Sequence, residues 1–400
     1  MMIWHLSLLA LVANRAIAVG DTSQQNSDIS PKLSEHASAE LLYLHRKLVE
    51  TASITGSEKN VGQWIASYLR DKNFTVETQE VSENRHNILA YGSKRSTTIL
   101  VSSHIDTVPP YWPYYYNKTT DVIGGRGSVD AKGSAAAQIV AVQALREHLR
   151  DDLSLLFVVG EETGGDGMRA FSSWSERPRP NYEVVIFGEP TEGKLVCGHK
   201  GILSFTLRIK GKAAHSGYPW LGVSANDVLT EALSNLLELR ANGLPWSEKY
   251  GNTTMNFGKI EGGVAGNVVA ETASANIAVR LAAGTPSDVR GLVISALSDV
   301  KTRIEKQGGG LEIEWAGEGY PPVNIDCDIK SFDTLTVNYG TDVPLLAGDH
   351  RRYLYGPGSI LVAHSDHEAL ERKELEQAVL DYRRLILEAS RMDHQYQQEL

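Results

Sequence analysis

Thr97-Thr98-Ile99-Leu100-Val101-Ser102-Ser103-His104-Ile105-Asp106 is a short, β-branched apolar run that ends abruptly in an imidazole and a carboxylate. Two later stretches repeat the arrangement. Leu153 to Gly160 (LSLLFVVG) runs into Glu161-Glu162, and Val184 to Gly188 (VVIFG) runs into Glu189-Pro190-Thr191. Continuous apolar runs of this length suit strands buried on both faces of a largely parallel sheet. Ala131 to Leu149, Ala-rich, reads as a helix between the first two, and strands alternating with helices define an α/β layer fold. Ligands of open α/β sheets gather outside the carboxyl ends of the strands, so His, Asp and Glu side chains from three strand ends are expected in one crevice. A fourth carboxylate, Asp130, lies within the stretch from Gly124 to Gly133, between a Gly-rich loop and the start of that helix.

Each of these residues alone has a plainer reading. A His-x-Asp is often a surface pair, adjacent glutamates often mark a solvated face, and Asp130 suits a helix N-cap. A Gly-rich loop before a helix can also hold phosphate, but no Gly-Lys-Ser/Thr follows here. Joint occurrence outweighs these readings. Several acidic or imidazole groups directly follow apolar strands, where burial without a counter-charge is costly, and two divalent cations would neutralise such a cluster.

Outward from this core, apolar residues at Leu41, Leu42, Leu44 and Leu48 suit a helix, and a second spans about Glu58 to Lys72. From about Gly198 the texture changes. Leu203 to Lys210 alternates, Val223 to Arg240 is helical, Thr253 to Ile260 and Ala273 to Leu281 are strand-like, and Pro286 to Glu305 is helical. This β-α-β-β-α order reads as a compact α+β unit inserted into the larger domain. The chain rejoins that domain from about Gly317 and closes with a helix from about Glu368 to Ser390.

The remaining features bear on compartment and partners. Leu6 to Ala13 is a short apolar core followed by Ala16-Ile17-Ala18, a small-x-small pattern, so residues 1–18 read as a signal peptide and 19–35 as a polar leader. Three sequons, at Asn73, Asn117 and Asn252, agree with secretion. The two cysteines, Cys197 and Cys327, could pair in an oxidising compartment or stay as buried thiols. The 400-residue chain is 42% hydrophobic, enough for a sizeable core, and its 49 acidic against 39 basic residues give a net charge of -10. That balance argues against nucleic acid or an anionic membrane as the main partner.

The ordered series Ser103-His104-Ile105-Asp106-Thr107-Val108-Pro109, Gly125 to Gly133 (GRGSVDAKG), Glu161-Glu162 and Gly188-Glu189-Pro190-Thr191 resembles the zinc peptidase family of glutamate carboxypeptidase, aminoacylase, acetylornithine deacetylase and succinyl-diaminopimelate desuccinylase. The resemblance covers nearly all the chain after about residue 36. It implies a mixed, largely parallel sheet flanked by helices, of zinc-exopeptidase type. The catalytic domain would be split between residues 36–198 and 317–400, with an inserted α+β lid or dimerisation domain at 199–316. It implies two Zn²⁺ per chain bridged by Asp130, one completed by His104 and Glu189, the other by Glu162 and His364. His364 belongs to an Ala-His-x-x-Asp-Glu-like element in which His367 replaces the usual Asp. Asp106 would orient His104. Glu161 would be the general base, facing away from Glu162 because neighbours on a strand end project oppositely. His215 resembles the family's oxyanion-stabilising His, which in many relatives arrives from a partner subunit or after closure. Asn267, Arg280 and Gly356 resemble substrate-binding positions, with Arg280 suited to a carboxylate.

These residues imply a secreted di-zinc carboxypeptidase acting on a peptide, with an N-acyl-amino-acid deacylase as the alternative of the same chemistry. A homodimer through the inserted unit is open. An inactive binding protein on a peptidase scaffold is the alternative of another class, and the complete ligand set with Glu161 speaks against it.

Overall fold

The computed structural model describes residues 32–149, 151–175 and 180–399. The signal-peptide reading of 1–18 and most of the 19–35 leader lie outside them. The first helix, Glu35–Glu50, is capped by Ser34, whose hydroxyl accepts from Ala37 N.

The expected apolar runs form the centre of a six-stranded sheet. Its order is Thr75–Ser82, Arg85–Tyr91, Leu153–Val158, Ile99–His104, Val184–Gly188, Arg351–Tyr355. The last four are parallel, and the Thr75–Tyr91 hairpin is antiparallel at one edge. Side chains alternate between two cores, as a period of two requires. Val101, Leu155, Phe157 and Ile186 pack under the helices Glu35–Glu50, Lys59–Asp71, Lys132–Leu149 and Arg372–Glu399. Leu100, Leu156, Val185 and Phe187 pack against Met168 and Phe171 of the helix Asp166–Ser172.

The inserted unit has its own four-stranded antiparallel sheet, ordered Thr254–Gly262, Thr272–Leu281, Gly201–Lys210, Gly310–Trp315. The helices Ala225–Asn242 and Pro286–Lys306 cover one face over Leu203, Phe205, Leu207 and Ile209. The other face presents Ile202, Ser204 and Arg280 toward the first domain, where they line a shared cavity.

Three expectations are corrected. The edge hairpin and Arg351–Tyr355 were not anticipated, because the outer hairpin strand carries charged residues on its exposed face and the other two strands open with half-buried basic residues that mask the apolar signal. The insert has a fourth strand, Gly310–Trp315, so its order is β-α-β-β-α-β. The final helix begins at Arg372 rather than Glu368, because Glu368 is spent on Arg126 and on the backbone of Val129 and Asp130, and Ala369–Glu371 pairs as a strand.

Cys197 and Cys327 are bonded across 130 residues of sequence. Cys197 lies on the strand Leu195–His199 that feeds the insert, and Cys327 follows the returning strand Val323–Asn324, so the bond ties both passages at the neck. Replacing both cysteines by serine should cost about 2–5 kcal/mol of stability, mainly by freeing the unfolded chain. Urea unfolding at neutral pH measures it, and an unchanged midpoint would show that the neck is held by packing alone.

Candidate metal centre

The carboxyl ends of the parallel strands, the start of the helix Lys132–Leu149 and the loop before Ala369–Glu371 meet at one cluster. His104, Asp130 and Glu189 offer ligand atoms within 4.8 Å of one another, and so do Asp130, Glu162 and His364, with Asp130 common to both sets. His104 Nε2 lies 3.1 Å from Asp130 Oδ1 and 3.7 Å from Glu189 Oε1. His364 Nε2 lies 3.3 Å from Asp130 Oδ2 and 3.0 Å from Glu162 Oε2.

The donor set fits divalent cations. His104 Nδ1 is 3.1 Å from the backbone carbonyl of Asp106, which can only accept, so Nδ1 carries the proton and the Nε2 lone pair faces carboxylate oxygens. Such an arrangement requires a positive charge between them. Glu162 Oε1 is buried without a hydrogen-bond partner. Hydrogen bonds donated by the His364 ring to the Asp130 and Glu162 carboxylates push its pKa up to about 10. His104 is also raised well above the usual imidazole range, because Glu189 and the hydrogen-bonding Asp106 and Asp130 outweigh its burial. The carboxylates thus favour positive charge at these imidazoles, and mixed His and carboxylate ligation suits zinc.

The surroundings fix these ligands. Asp106, fully buried, accepts from Glu161 N at 3.1 Å, Glu162 N at 3.2 Å and the Thr55 hydroxyl at 2.7 Å. Its carboxylate is 3.5 Å from His104 Nδ1, so the orienting hydrogen bond to that ring comes from the Asp106 backbone instead. Glu161 and Glu162 do not sit on a strand end as expected. They open a 3-10 turn, Glu161–Thr163, behind Gly160 at φ 77°. It is this turn, with both N–H groups on Asp106, that presents the two carboxylates to different places. Burial and then the Glu189 charge, partly offset by His104, hold the Glu161 carboxyl well above the usual carboxylate range. His364 adopts φ 61°, a rare backbone for a residue with a Cβ, and such outliers cluster at functional sites.

A cavity of about 460 Å³ opens on this cluster. Arg280 from the insert lines it together with Glu161 and four of the ligand residues, Asp130, Glu162, Glu189 and His364. His215 and Asn267 do not. They are exposed neighbours on the insert, where Ser216 N donates to Asn267 O at 3.0 Å and His215 pairs with Val268, so backbone bonds keep them out of the cavity within one subunit. Gly356 also lies off the cavity wall. It is buried behind Glu189, where a Cβ would fall 2.2 Å from the Glu189 carbonyl, so its place is close packing under the ligand loop. His367 is exposed and pairs with Asp366 at 3.0 Å, outside both ligand sets.

Sequence reading passed over several residues. Glu368 accepts from Arg126 at 2.7 Å and from the N–H groups of Val129 and Asp130 at 3.0 and 3.1 Å, holding the backbone of the carboxylate common to both sets. It stood at the end of the quoted His364 motif without a role. Tyr320, Tyr339 and Asp342 line the cavity as well, and no pattern in the chain marks them.

The sheet order, the inserted unit and the paired ligand sets define a hydrolase of the metallopeptidase class. Residues 197–304 match the peptidase dimerisation domain, and residues 87–189 match peptidase family M28. A probable carboxypeptidase of Aspergillus flavus is 51% identical over 86% of each chain, and one of Emericella nidulans is 46% identical over 96% of this chain and 99% of its own. In three dimensions a tripeptidase from Staphylococcus aureus is similar, with a TM-score of 0.73 at 20% identity over 88% of this chain and 99% of that one. An M20 family metallo-carboxypeptidase from Sulfolobus solfataricus gives 0.66 at 16% identity over 86% and 98%. The chain belongs to the zinc metallopeptidase family of these fungal relatives.

Proposed function

We propose that this protein is a secreted di-zinc exopeptidase that cleaves the amide bond next to a free C-terminal carboxylate. The observation that carries it is Arg280, whose guanidinium has no ion pair among the described residues and lines the same cavity as Glu161, Asp130, Glu162, Glu189 and His364. His104, Asp130 and Glu189 would hold one zinc, and Asp130, Glu162 and His364 the other. Zinc held there would supply Lewis-acid polarisation of a scissile carbonyl and a lowered pKa for bound water. Arg280 holds the substrate carboxylate through its two-pronged fork. Glu161 takes the proton of the attacking water and delivers it to the leaving nitrogen. The inserted unit covers the cavity and limits water around these groups.

Elemental analysis of the purified protein should give two zinc ions per chain. Asp130→Asn should lose both together, because that carboxylate is shared. A stoichiometry that stays near one in excess zinc would remove the two-metal mechanism.

The secreted location is supported by the bonded cysteines, which belong to oxidising compartments, and by the exposure of Asn73, Asn117 and Asn252. The mature chain is expected to begin near Val19 and to carry an N-glycan on at least one sequon. N-terminal sequencing and a glycosidase mobility shift check this, and an intact Met1 on cytosolic protein would overturn it.

A further inference from the structure

Asp342 is a charged cavity residue that the reaction above leaves unused. It is 5% exposed, and its Oδ1 is buried with no hydrogen-bond partner. It belongs to neither ligand set. A buried carboxylate without a partner is costly, and the neighbouring charges do not relieve it. Glu161, Glu189 and Asp106 repel it. His104 attracts it but is held by Asp130 and Glu189. Arg169 attracts it too, yet that side chain is exposed and its Nε donates to Gly164 O at 3.1 Å. Among the described residues no cation stands within ion-pair distance of Asp342.

The segment that carries Asp342 is rigid. Thr341 Oγ1 lies 3.1 Å from His199 Nε2 and accepts from Val343 N, while Leu345 N donates to the Asp342 carbonyl at 2.9 Å. On the facing wall, a Cβ at Gly165 would lie 2.9 Å from Asp342 Oδ1, so backbone there closes against the carboxyl. At the other end of the segment, a Cβ at Gly340 would lie 3.3 Å from an Arg280 guanidinium nitrogen. Gly340 and Asp342 are two residues apart, at most about 7 Å along the chain. Arg280 and Asp342 line the same cavity, so one wall carries a cation and an unpaired anion on neighbouring stretches of chain, with the ligand cluster beside them.

We infer that Asp342 selects substrates bearing an ammonium group on the acyl side of the scissile bond, with Arg280 holding the carboxylate at the other end. This rests on the exopeptidase reading for the role of Arg280. The ammonium is the α-ammonium of a dipeptide or the side chain of a basic acyl residue. Either way the preferred substrate is a peptide carrying a positive charge on its acyl side, and a neutral N-acyl amino acid is disfavoured.

The test separates binding from hydrolysis. Zinc-loaded Glu161→Gln protein is titrated calorimetrically with the ketomethylene isostere of glycyl-leucine and with its N-acetyl form. The acetyl-lysyl and acetyl-norleucyl isosteres form the second pair. One ammonium-bearing ligand should bind about 30-fold or more tighter than its neutral mate, the loss usual when one partner of a buried charge pair is removed. Adding Asp342→Asn should bring that ratio to within about threefold while zinc content stays at two. The first pair showing the preference identifies the α-ammonium, and the second identifies the basic side chain. Equal affinities within both pairs overturn the assignment without any change at position 342. A ratio that survives Asp342→Asn, or zinc lost with it, overturns it as well. Hydrolysis of the parent peptides by the unaltered enzyme is scored separately. Hydrolysis without ammonium preference rejects Asp342 alone, and ammonium preference without hydrolysis rejects the peptidase reading alone.

Discussion

Glu161→Gln should keep both metals and lose about 10²–10⁴-fold or more of kcat, the usual share of acid–base catalysis. Glutamine preserves volume and one oxygen, but it cannot take a proton from water or return it to the leaving nitrogen. The five ligand residues are untouched, so metal content is expected to hold. The adjacent Glu162→Gln should behave differently. Glu162 Oε2 lies 3.0 Å from His364 Nε2, and its other oxygen is buried without a partner, so neutralising it removes a charge that the second ligand set needs. Metal content by elemental analysis, set beside kcat for each variant, distinguishes the two roles. Metal loss that followed Glu161 instead would mean that the turn Glu161–Thr163 presents the pair the other way round.

Arg280→Ala should abolish most of the preference for a free-acid substrate over its C-terminal amide. An amide cannot accept the charged, two-pronged bond, and leaving one partner of such a pair unmatched typically costs about 2–5 kcal/mol. That is on the order of 30- to several-thousand-fold in kcat/KM. The unaltered enzyme is expected to cleave the acid and nearly ignore the amide, and the variant to lose activity on the acid while changing little on the amide. Arg280 sits on the strand Thr272–Leu281, paired with Ile202 and Thr254, so a guanidinium removed from the cavity wall leaves the sheet register intact. Equal acid-to-amide ratios in the two proteins would show that Arg280 is not the clamp.

Much of the fold was legible because the central strands are buried on both faces. Ile99–His104, Leu153–Val158 and Val184–Gly188 read as unbroken apolar runs, and each is followed directly by a polar group that later meets the others. The hairpin Thr75–Tyr91 was hidden because its outer strand, TVETQEVS, faces solvent over much of its length. Arg351–Tyr355 was hidden because it opens with two half-buried arginines. Helix ends were blurred where side chains had other partners, as with Glu368. The metal ligands were legible through an ordered series of motifs. The cavity wall was not, since Tyr320, Tyr339 and Asp342 lie on the returning chain in segments without periodicity.

By itself the sequence determined the strand core, the inserted α+β unit and the set of groups able to hold metal, because burial pattern and residue chemistry are local properties of the chain. Only the tertiary structure decided how those groups face one another. It put Asp130 between two imidazoles, hung the Glu161–Glu162 turn on Asp106, and left His215 and Asn267 outside the cavity of their own subunit. It also joined Cys197 to Cys327 and set Asp342 with no ion-pair partner among the described residues on the wall of the cavity that Arg280 also lines. The reason is physical: charge pairing and exclusion from water depend on distances of a few ångströms between segments far apart in the chain, and no local pattern encodes those distances.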